Sequence, residues 1–164
     1  MMLKGRDQAA MIAGYLLANS ANLLSYIDEV KVLTPFSIGF KKNQFHTKFH
    51  TGKSQAEAVA SAKEELTANE SKFDAWAFAR EGTLEESGHP VHTISVSAWS
   101  IGMREPVIFI QRFERAPRFR LIADQLVGID GVILDIEMSK PIIIILLKGI
   151  SLHEEGWSKW GVWH

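Results

Sequence analysis

The sequence predicts an α+β fold: an antiparallel β-sheet of about five or six strands packed against two main helices in a single domain. Three observations carry this expectation. Apolar residues recur at three- and four-residue spacing near the N-terminus and again after Ser54. From Phe73 onward the apolar period falls to two, as a half-buried strand requires. No internal repeat, low-complexity tract or long linker divides the 164 residues.

The first helix is expected over residues 7–28. Ala9, Ile12, Ala13, Leu16, Leu17, Leu23, Leu24 and Ile27 line one face, and Asp7 is placed to cap its start. Lys4 and Arg6 before an apolar stretch imitate a secretion signal. Asp7 and Gln8 interrupt that pattern, and the periodicity continues through Ile27, so the segment reads as a folded helix. Met11, Tyr15 and Tyr26 fall off the stripe and offer a surface to a partner subunit or to a covering loop. Pro35 then blocks helix continuation, and Phe36, Ile38 and Phe40 alternate as a short strand. Ser54-Gln55-Ala56-Glu57 is a capping box that opens a second helix at 55–68. Its narrow stripe of Val59, Ala62 and Leu66 suits close packing on a sheet.

Residues 73–148 read as strand-rich. "FDAWAFAREG" sets Trp76 and Phe78 against alanines, and "VHTISVSAW" sets His92, Ile94, Val96 and Ala98 against Thr93, Ser95 and Ser97. "EPVIFIQRFE" places Ile108 and Ile110 opposite Val107, Phe109 and Phe113. "GVILDIEM" and "PIIIILLKG" are expected as paired strands joined through Ser139-Lys140-Pro141, the second buried on both faces. The run Ile142–Leu147 is far too short to cross a bilayer as a helix. The aromatic tail, 152–164, spaces Trp157, Trp160 and Trp163 three apart, which suits docking on the protein's own sheet or a dimer contact.

Composition narrows the function classes. With no cysteine, disulfides, thiolate nucleophiles and thiolate metal sites are excluded, and a cytoplasmic protein, bacterial in style, is expected. A net charge of −1 supplies no global field toward nucleic acid or an anionic membrane.

Local motifs add little chemistry. His46 and His50 stand four apart, the spacing of zinc enzymes, but Thr47 occupies the place of the accompanying glutamate. On an extended chain the two rings would lie about 13 Å apart, too far for one ion. Gly52-Lys53-Ser54 ends like a phosphate loop, yet Thr47 replaces the glycine that such a loop needs. His89 and His92 beside Glu85 and Glu86 make a weak metal pattern, so no metal and no cofactor is expected. Serines 95, 97 and 100 follow His92 without the nucleophile-elbow motif of hydrolases.

Arginines 104, 112, 115, 118 and 120 cluster in one segment with Phe113 and Phe119. Such interleaving suits single-stranded nucleic acid, but the defined RNA-binding signature is missing. Pairing with the carboxylate-rich stretch from Glu57 to Glu86 is the plainer reading. The sequence therefore points to a non-catalytic interaction or binding protein, with a homodimer among the fitting arrangements and Tyr15, Trp157, Trp160 and Trp163 as its contacts. The alternative is a small enzyme acting on an anionic metabolite, with Arg112, Arg118 and Arg120 gripping the anion and His92 as acid or base. Single-stranded nucleic-acid binding ranks third, and no membrane association is expected.

Overall fold

A computed structural model describes residues 5–27, 31–68 and 73–164. Helix α1 (Gly5–Tyr26) leads into the hairpin β1 (Phe36–Lys41) and β2 (Gln44–Phe49), then helix α2 (Gln55–Ala68). Four longer or shorter antiparallel strands follow: β3 (Ala75–Glu86), β4 (His89–Ser100), β5 (Val107–Glu114) and β6 (Arg120–Ile129). A two-residue β7 (Val132–Ile133), helix α3 (Ile136–Ser151) and helix α4 (Glu154–Trp163) complete the chain. The seven strands form one antiparallel sheet in the order β2-β1-β3-β4-β5-β6-β7.

The turns explain the hairpins. Lys42 and Asn43, Ser87 and Gly88, and Asp130 and Gly131 all have positive φ, the conformation that reverses a chain within two residues. Asn, Gly and Asp tolerate it; Lys42 carries it at a cost that the β1–β2 ladder must offset.

Alternation along the strands divides the core in two. Ala75, Ala77, Ala79, Ile94, Val96, Ala98 and Phe109 face α1, while Trp76, Phe78 and Trp99 face Val59, Ala62 and Leu66 of α2. Helices thus cover both faces, α2 on one and α1, α3 and α4 on the other. The stripe of Val59, Ala62 and Leu66 meets the sheet at two tryptophans and a phenylalanine. Each such fully buried side chain contributes about 1.5–3 kcal/mol of hydrophobic stabilisation.

Helix α1 is enclosed rather than amphipathic. Its buried residues include Ala10, Ile12, Ala13, Gly14, Leu16, Leu17, Ala18 and Ala21, which spans all sides of a helix. The sheet covers one side and α3 the other. The helix begins at Gly5, so Asp7 stands in the first turn instead of at the cap. The expected end at Asp28 lies outside the described residues.

Two expectations are corrected. Gln44–Phe49, whose polar and basic composition predicts only a connection leading to α2, is a strand on the sheet edge. The paired strands expected over 131–138 and 141–149 are replaced by the two-residue β7 and by α3, which runs through the Ser139-Lys140-Pro141 junction. Asp135 caps that helix by accepting the Met138 N–H at 2.8 Å, and Ile142, Leu146, Gly149 and Ile150 bury one face at helical spacing. Tertiary burial against α1 outweighs the strand preference of a run of β-branched isoleucines. The tail is likewise helical, with the His153 ring accepting the Gly156 N–H at 2.9 Å. No helix among the described residues is long and apolar enough to cross a membrane.

Candidate functional site

His92 and Arg112, both singled out by sequence, are not brought together. His92 pairs across the ladder with Phe113, and Thr93 with Arg112. Adjacent residues on a strand point to opposite faces, so His92 and Arg112 lie on opposite sides of the sheet. Arg112 binds the Glu86 carboxylate at 2.8 Å. Arg120 sits 3.4 Å from Glu114, half-exposed, and Arg118 is exposed between β5 and β6. His92 stacks near Phe113 and lies 3.9 Å from Glu81.

A tighter ion pair forms from Glu81 and Arg115. Arg115 Nη2 donates to Glu81 Oε1 at 2.6 Å, both side chains being about nine-tenths buried. The same carboxylate oxygen accepts the Leu33 N–H at 3.1 Å, and Arg115 Nη1 donates to the Lys31 carbonyl at 2.6 Å. This pair anchors the segment that enters β1. Its surroundings are those of a structural clamp.

The aromatic contacts are mixed. Trp160 and Trp163 are buried in the α1-side core, and Trp163 meets Phe119 edge to face. Tyr15 is half-buried, stacked on Phe45 and edge-on to His153. Trp157 is 48% exposed.

Two concave regions lie on the α2 side of the sheet. The first is an apolar groove of about 430 Å³ between the C-terminal half of α2 and strands β4 to β7. Trp76, Phe78, Ile108, Ile110, Ile133 and Leu66 form its apolar wall, and Lys63, Asp130 and Glu105 also line it. It exists because α2 covers only the β3 side of this face, leaving Ile108 and Ile133 exposed. Trp99 donates its indole N–H to the Met103 carbonyl at 2.9 Å, whereas the buried Trp76 Nε1 has no hydrogen-bond partner. An unsatisfied buried donor costs about 1–3 kcal/mol.

The second is a cleft of about 600 Å³ between α2 and the β1–β2 hairpin. Ser37 and Gly39 belong to its lining, with Lys41, Lys42, Lys48 and His46 around them and Glu65 above. Ser37 Oγ lies 2.9 Å from His50 Nε2, and His50 Nδ1 lies 3.9 Å from Glu65 Oε2. Glu65 Oε1 also accepts from Lys48 at 2.6 Å. Burial pushes the His50 pKa below its ordinary 6.5, against the pull of Glu65 and with a smaller push from Lys48, so the ring is neutral at pH 7.

Sequence reasoning weighed His50 only as a metal partner of His46. Its real partner is thirteen residues away and is brought to it by the hairpin, where Phe36 pairs with Phe49 and His50 N–H donates to the Pro35 carbonyl at 2.8 Å. No local spacing announces such a contact. Searches against protein-family models, curated proteins and solved structures find no match for this chain.

Proposed function

We propose that the protein is a binding module that takes a small, mainly apolar molecule into the groove between α2 and strands β4 to β7. The observation that carries this reading is the uncovered apolar wall of Ile108, Ile110 and Ile133 facing Trp76, Phe78 and Leu66. Apolar clefts of this size with a few polar groups at the rim are the usual form of small-molecule sites. Lys63 supplies one hydrogen-bond donor to the groove, where Asp130 and Glu105 also stand. The test is Trp fluorescence and heat of binding with medium-chain carboxylic acids and aryl amphiphiles. Saturable binding that Ile108→Lys abolishes is expected; equal binding by the variant would end the proposal.

A second reading, self-association, is favoured by α3. Ile136, Met138, Ile144, Leu147 and Leu152 are exposed along it, more apolar surface than a solvent-facing helix normally carries. A second copy of the chain covers this strip. Sedimentation of the protein and of Ile144→Glu distinguishes the two states: a monomer at high concentration in both removes this reading.

A further inference from the structure

We propose that Ser37, His50 and Glu65 form an acyl-transfer site, with Ser37 as nucleophile, His50 as general base and Glu65 as the positioning residue, acting on esters that carry an anionic group. The inference rests on the cleft beside the β1–β2 hairpin and is independent of the apolar groove. Leu66 of α2 stands between the two, lining both.

The connectivity is that of an activated hydroxyl. A nucleophile within hydrogen-bond reach of a base, with an acid on the base's far nitrogen, is recognised by geometry and not by position in the chain. Here the first distance is 2.9 Å and the second 3.9 Å. The second is loose, as catalytic contacts often are before substrate binds. His50 is buried against Phe78, whose ring meets it edge-on, and this burial keeps the imidazole neutral and ready to accept a proton.

Lys48 faces Ser37 directly across the β1–β2 ladder. Its ammonium is the natural partner for the negative charge that develops on a carbonyl oxygen during attack. Lys42 lies in the same cleft, where Glu65, the one carboxylate among the described residues that line it, is already bound by Lys48. That charge balance selects an acyl or alcohol group bearing a carboxylate or phosphate.

The step balances without further reagents than water. Ser37 Oγ attacks the ester carbon while its proton passes to His50 Nε2. The carbon–oxygen bond to the alcohol breaks, and the departing oxygen takes that proton. Water then attacks the acyl-serine, again through His50 Nε2, releasing the acid and restoring the hydroxyl.

The experiment is labelling of the full chain with a fluorophosphonate, mapped by peptide mass, alongside hydrolysis of nitrophenyl hemisuccinate and neutral nitrophenyl butyrate. One adduct on Ser37 is expected, absent in Ser37→Ala and slowed at least about tenfold in His50→Gln. Because a buried substitution can unfold the chain, Glu65→Gln on the half-exposed face of α2 is the second variant. It should keep the thermal transition and move the pH midpoint of labelling downward, since Glu65 raises the His50 pKa. No Ser37 adduct on the folded protein, or labelling indifferent to His50 and Glu65, overturns the site. Faster hydrolysis of the neutral ester overturns the substrate class.

Discussion

Gly14 of α1 and Gly149 of α3 meet where the two helix backbones touch. A Cβ on Gly14 would stand 2.0 Å from the Leu146 carbonyl oxygen, and one on Gly149 would stand 2.0 Å from that of Met11. The obstacles are backbone atoms, which cannot turn aside. Ala10 and Ala18, one turn either side of Gly14, are fully buried, and Ala18 lies against Gly156 of α4.

Gly14→Ala should therefore destabilise the protein although alanine is the better helix former. Propensity favours the substitution by about 1 kcal/mol, whereas overpacking at a fixed crossing costs about 1–3 kcal/mol or more. We expect a net loss on urea denaturation for Gly14→Ala and for Gly149→Ala. A gain in stability at either position contradicts the crossing.

The Glu81–Arg115 pair predicts a non-additive cycle. Arg115→Met leaves the buried Glu81 carboxylate without its guanidinium, and Glu81→Leu removes the carboxylate from the buried Arg115; each should cost about 3–5 kcal/mol. The double variant should recover a substantial part, because both charges leave together. Additive losses would show that the pair is not coupled.

Stability should fall as pH drops below 6.5. His50 and His153 both have pKa values pushed below 6.5, chiefly by burial. The unfolded chain then binds more protons than the folded one below 6.5, so this stability is complete above that value and is lost as pH falls through it. His50 faces Glu65, Lys48 and the Ser37 hydroxyl; His153 has Glu155 and the Tyr15 ring beside it, and accepts the Gly156 N–H through Nδ1. His50→Gln should flatten the slope of unfolding free energy against pH. Unchanged slopes in His50→Gln and His153→Gln would refute the assignment.

Exposed apolar residues on α3 should be cheap to change. Ile144→Glu should alter stability by less than about 0.5 kcal/mol, since its side chain leaves water little on folding of one chain. Melting curves read this directly. A large loss that depends on protein concentration would instead measure a dissociating partner.

The α2 helix was legible to the residue because its start is written locally: Glu57 N–H donates to Ser54 Oγ at 3.2 Å, as the capping box requires. Strands β3 to β5 were legible because alternation is a period of two that burial on one face enforces. Helix α3 was not, because a continuous apolar run reads alike as a buried strand or a buried helix. In hindsight Asp135 and the spacing of Ile142, Leu146 and Ile150 carried the helical signal. Strand β2 was obscured because its alternation is short and interrupted: Phe45 and Phe49 share a face, but Thr47 stands between them and charged or polar residues fill the rest.

The amino-acid order alone determined the fold class, the two leading helices and most of the sheet, through caps, turns and apolar periods that act within a few residues. Tertiary structure alone decided that α1 is wrapped on both sides, that His92 and Arg112 fall on opposite sheet faces, and that Ser37 meets His50. Those are contacts between segments far apart in the chain. They depend on which strand lies beside which, a choice made by the packing of the whole core and written in no local pattern.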